Sequence, residues 1–136
     1  MAIHWNESFS TNNQTLDTQH KELFRLANIV DKIDPKTTTK TEIGVLIKAF
    51  FNYMNEHFQE EEAYMQKFDY PFLKDHQKLH QDIIKSMTKL IQEKKTIGEL
   101  QEGIKSISHT WLVEHILGND QKMAKWCNLS DRKQTP

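Results

Sequence analysis

Cysteine is almost missing from this chain: Cys127 is the only one in 136 residues. No disulfide can close within the chain, so stability must come from an apolar core, and a reducing compartment is expected. Glycine and proline are scarce too, at four and three residues. That disfavours a turn-rich β fold and favours long helices. Neither sign of charge dominates: 18 basic and 19 acidic side chains, mixed along the chain, leave a net charge of −1. There is no electrostatic footprint for nucleic acid or for an anionic membrane. No apolar run approaches the ~20 residues that span a bilayer. The opening MAIHWNESFS lacks the basic and apolar regions of a signal peptide, so the expected setting is the cytoplasm. What the chain does have is histidine, seven in all.

The length suits one domain with a real core. Pro35 with KTTTKT (36–41) breaks the chain once, DYP (69–71) a second time, and EKKTIG (93–98) more weakly. Gly118 in LGND reads as a fourth break. Between them lie helical segments at about 17–34, 41–68, 72–95 and 97–117. The expected layout is an N-terminal arm (1–16), a bundle (about 17–117) and a C-terminal segment (118–136). Short connections make neighbouring helices antiparallel, hence an all-α, up-down-up-down four-helix bundle.

Each segment carries an apolar stripe at three- and four-residue steps, and each stripe is interrupted by histidine or glutamate near one helix end. His20 falls near the start of the first helix, and His57 and Glu61 near the end of the second. His76 and His80 fall near the start of the third, and His115 near the end of the fourth. In an alternating bundle these positions share one level. Left without partners there, each polar group would cost about 1–3 kcal/mol. A metal centre satisfies them together: imidazole and carboxylate suit iron, zinc, copper or manganese, and i, i+4 spacing lets one site recruit both residues of a pair. Five histidines exceed the needs of one ion, so two ions bridged by a carboxylate fit better. Asp120 is a further candidate, provided the helix ends at Gly118 and the chain turns back. Rich in neutral histidine and poor in carboxylate, such a centre favours reversible exchange with O₂ over O–O cleavage. Leu23, Phe24, Trp111 and Leu117 are the candidate walls of an O₂ pocket.

The segments DTQH (17–20), HFQEEEAYM (57–65), HQKLH (76–80) and HILGND (115–120) together resemble the hemerythrin family, in particular its single-domain bacterial form. IHW near the start and FDYPFLKDH before His76 fit the same group, and the resemblance covers about residues 3–126. It implies a four-helix bundle with an oxygen-binding, non-haem di-iron centre (Fe2+/Fe3+). His76, His80 and His115 would ligate one iron, and His20 and His57 the other. Glu61 and Asp120 would bridge both, with an oxo or hydroxo group between the irons and an open position for O₂ on the second. One departure stands out: Asn12-Asn13 replaces the usual glycine and hydrophobic residue before DTQH. Asn tolerates the left-handed conformation such a turn needs.

The expected function is therefore O₂ storage, transport or delivery by a monomeric binding protein, not an enzyme. Its partners would be O₂ and an O₂-consuming acceptor protein. The alternatives are an O₂ or redox sensor, a peroxide- or nitric-oxide-processing enzyme on the same fold, and a bundle holding zinc or a single iron. His4 and His109 fall outside the pattern. Glu60 and Glu62 read as a solvated face, and Asp17 as the N-cap of the first helix.

Overall fold

In a computed structural model of the chain, residues 5–93 and 96–134 are described, the side chains at 111–113, 116, 117 and 129–134 excepted. Among these residues there is no strand. Helix α1 spans Gln14–Lys32, α2 Lys40–Lys67, α3 Leu73–Gln92 and α4 Ile97–Ile107. From α4 the chain continues through π-helical turns at Ser108–Val113 and His115–Asp120 into α5, Gln121–Gln134. Helix α1 packs on α2 and α4, and α3 packs on the same two, giving a four-helix bundle.

Local chemistry sets the helix ends. Thr39 caps α2 through the Glu42 amide, and Thr96 forms a reciprocal capping box with Glu99. Between α1 and α2, the Asp34 carboxylate accepts from the Lys36 amide, turning the chain beside Pro35. The first helix differs from expectation. Asn13, not Asp17, is its N-cap, accepting from the Leu16 amide at 3.1 Å, so α1 starts one turn earlier. Asp17 instead ties down the preceding arm. Its carboxylate accepts from the Thr11 amide (2.8 Å), the Thr11 hydroxyl (2.7 Å) and the Ser10 hydroxyl (2.6 Å). Asn12 does adopt the left-handed conformation, at φ 59°. The arm also meets α5, where the Asn128 amide donates to the Thr11 carbonyl at 3.1 Å.

A second difference concerns Gly118. The helix does not end there. It widens into π turns and runs on to Gln134. In an α-helix, five residues rotate a side chain ~140° past a full turn. A π turn closes i→i+5 hydrogen bonds, so residues five apart stack on one face. His115 and Asp120 are five apart, and this widening, not a chain reversal, aligns them.

The core falls into two apolar clusters. The larger contains Leu23, Phe24 and Val30 of α1, Ile47, Phe50 and Met54 of α2, Ile83 and Met87 of α3, and Ile104 of α4. The smaller contains Leu16, Met65, Phe68, Tyr70, Met123, Ala124 and Cys127. Most of the polar candidates sit between the two. His20 separates Leu16 from Leu23, and Glu61 separates Phe58 from Met65.

Candidate metal centre

His20, His57, Glu61, His76, His80, His115 and Asp120 meet in one buried layer, none more than 4% exposed. Their donor atoms form two sets, each drawn together within 4.8 Å. One holds His76, His80 and His115 with Glu61 and Asp120. The other holds His20 and His57 with the same two carboxylates.

Each carboxylate divides its oxygens between the sets. Glu61 Oε1 lies 2.7 Å from His76 Nε2 and 3.1 Å from His80 Nε2, while its Oε2 lies 3.2 Å from His57 Nε2. Asp120 Oδ1 lies 2.9 Å from His115 Nε2 and 3.0 Å from His76 Nε2, while its Oδ2 lies 3.1 Å from His20 Nε2. Both carboxylates thus reach from one histidine set to the other.

The layer is satisfied unevenly. His20 Nε2, His57 Nε2, Glu61 Oε2 and Asp120 Oδ2 are all buried, and their contacts with one another, at 3.1 to 3.8 Å, lack hydrogen-bond geometry. These four atoms are the facing donors of the two-histidine set. Such contacts offset the cost of burial only in part, and a cation placed among the four atoms would satisfy them all. The donor set therefore fits a metal.

The outward-facing imidazole nitrogens fix the orientation of several rings. Gln19 Oε1 lies 2.6 Å from His57 Nδ1 and can only accept, so that nitrogen donates outward and Nε2 is the one that faces the carboxylates. The Glu62 carboxylate does the same for His80, at 3.1 Å from Nδ1. The Asn119 amide lies 3.4 Å from Nδ1 of His115. Phe58 stacks flat on His80, with centroids 3.9 Å apart and planes 5° from parallel.

Without metal, charge pairing dominates the layer. Burial alone would lower the pKa of His20 and His76, but the Asp120 and Glu61 carboxylates outweigh it and raise each to about 9. His115 rises to about 10 on the same balance. Burial pushes the Glu61 carboxyl up, yet its contacts with the His115, His20, His57 and His76 rings hold it well below its usual range. Burial and the Glu61 charge push Asp120 up, and His115 and His20 together hold it well below.

Leu23 and Phe24, the expected pocket walls on α1, are buried one turn beyond His20. The side chains of Trp111 and Leu117 lie outside the described residues. His4 also lies outside them, and His109 is exposed. The solvated-face reading holds for Glu60, which is exposed, but needs correction for Glu62. Glu62 is half-buried against His80, and Glu60 accepts from the Gln19 amide that supports His57. The sequence offered one signal for these supports: a ligating imidazole needs an acceptor behind its second nitrogen.

A helical bundle whose core is interrupted by a layer of five histidines and two shared carboxylates defines a metal-binding protein. The chain belongs to the hemerythrin HHE cation-binding domain family, whose model matches residues 11–127. It is 28% identical over 118 residues to a bacteriohemerythrin of Campylobacter jejuni, covering 86% of this chain and 89% of the relative. It is 31% identical over 118 residues to a myohemerythrin of Theromyzon tessulatum, covering 87% and 88%. A hemerythrin-like protein of Naegleria gruberi is 29% identical over 120 residues, covering 88% and 89%. Among the described residues, no helix is long and apolar enough to cross a membrane.

Proposed function

We propose that the chain binds O₂ reversibly at a pair of iron ions, for storage or delivery, and is not an enzyme. The observation that carries this is the division of the Glu61 and Asp120 oxygens between two histidine sets. His76, His80 and His115 would hold one ion, and His20 and His57 the other. With three histidines against two, the His20 and His57 side offers fewer protein ligands and would leave room for O₂. When bound, the iron pair supplies the two electrons that O₂ takes up and returns. The residues hold the ions apart, fix each imidazole and exclude water. Leu23, Phe24, Met54 and Phe58 pack within one helical turn of the histidines and are at most 2% exposed. Five imidazoles against two carboxylates put little negative charge on the metals, which favours reversible exchange over O–O cleavage.

The test is an optical spectrum of the iron(II)-loaded protein cycled between argon and air. A visible charge-transfer band that appears in air and fades under argon, cycle after cycle, supports carriage. A one-way change to a stable oxidised spectrum overturns it.

Loading should depend on pH. In the metal-free protein His20, His76 and His115 have pKa values raised to about 9, 9 and 10, so all three are protonated at neutral pH. Metal requires them neutral, and binding must expel those protons. Apparent affinity should therefore rise with pH up to about 10 and weaken as pH falls from 8 to 6. Metal titrations at fixed pH, with proton release followed in weak buffer, check the sign. A pH-independent affinity would show that these histidines are not ligands.

A further inference from the structure

The run Glu60-Glu61-Glu62 on α2 does three different things. Glu61 sits between the two histidine sets. Glu62 accepts from His80 Nδ1 at 3.1 Å, while Glu61 Oε1 lies 3.1 Å from Nε2 of the same ring. Adjacent glutamates thus hold both nitrogens of one imidazole, and Phe58, one turn earlier, stacks on its face. On the other side, Glu60 does not touch a histidine. It accepts from the Gln19 amide, and Gln19 Oε1 accepts from His57 Nδ1 at 2.6 Å. A full carboxylate therefore stands behind His80, and only an amide behind His57.

We propose that Glu62 and the Gln19–Glu60 pair are positioning residues that give the two halves of the centre unequal donor strength. A carboxylate draws the Nδ1 proton toward itself and leaves the ring richer in electrons at Nε2. A neutral amide does this less. The three-histidine side, with His80 so supported, is the stronger donor and holds its ion in the oxidised state more readily. The two-histidine side, backed by an amide, holds its ion more loosely and closer to the reduced state. The inference rests on the two-metal reading above.

The experiment compares the wild type with E62Q and with the double variant Q19E/E60Q. E62Q keeps the shape of the acceptor but removes its charge. Q19E/E60Q exchanges amide and carboxylate, placing the charge directly behind His57. Each is loaded with iron(II), its metal content is measured, its ions are drawn off by graded chelator, and its reduction potential is titrated optically. E62Q should hold one of its two ions about 10- to 100-fold more weakly, with its potential moved upward. Q19E/E60Q should move the potential downward, with helical content unchanged in both. Opposite signs in the two variants separate electronic support from packing, since a packing defect would move both the same way. Wild-type affinities and potentials in both variants, or shifts of one sign, overturn the inference and leave the two-metal reading intact. Fewer than two irons in the wild type overturns the two-metal reading itself, and the inference with it.

Discussion

Glu61→Ala should retain less than one iron per chain and melt roughly 10 °C lower than the wild type in the metal-free state. Glu61 is fully buried and contributes one oxygen to each histidine set. No neighbouring group can replace both contacts, so neither half of the centre survives intact. Stability falls for a separate reason. His20 and His76 are raised to about 9 partly by this carboxylate. Removing it leaves buried imidazoles with Asp120 as the remaining carboxylate of the layer. Breaking a buried ion pair from one side costs about 3–5 kcal/mol, which at this size corresponds to a melting shift of that order. Elemental analysis and a melting curve read the two effects separately. Two irons per chain in the variant would remove Glu61 from the ligand set.

The second large effect concerns the π turn. Asp120→Asn should lose at least ~100-fold in metal affinity, because it removes a fully buried shared carboxylate. The informative variant is the exchange N119D/D120N, which moves the carboxylate from five residues beyond His115 to four. In an α-helix the i+4 position would restore the ligand. In the π turn it should not. The structure places residue 119 at the outer nitrogen of His115, 3.4 Å from Nδ1, and residue 120 at the inner one, 2.9 Å from Nε2. The exchange should therefore bind metal no better than Asp120→Asn alone. Recovery to wild-type affinity would mean that this segment relaxes to an ordinary α-helix.

The legible part of the architecture was the part written in periodicity. The apolar stripes, their polar interruptions and the short connections place five histidines and Glu61 at one level before any coordinates exist, and the structure brings them together there. Three things were not legible. Asp17 stands where a cap is expected, but caps are decided by backbone geometry, and Asn13 wins because Asn12 turns left-handed before it. The π turn leaves no mark in a sequence read at 3.6 residues per turn. Asp120 therefore looked misplaced by one residue and needed an invented break at Gly118. Glu62 and Gln19 were hidden because support for a ring comes across helices: Glu62 on α2 reaches His80 on α3, and Gln19 on α1 reaches His57 on α2.

The polar layer has one more consequence, which follows from its place between two apolar clusters. Leu16, Met65, Phe68, Met123 and Cys127 lie beyond it, and the larger cluster lies before it. The small cluster draws on both chain ends through α5 and the N-terminal arm, which Asn128 and Gln121 join. Buried ion pairs that only partly offset their own desolvation are a weak adhesive, and two cations would make the layer a strong one. Metal then acts as mortar between two blocks of the same bundle. In amide hydrogen exchange the loaded protein should open as one cooperative unit. The stripped protein should shed protection first at the capping block, with the Phe50–Met87 block still closed.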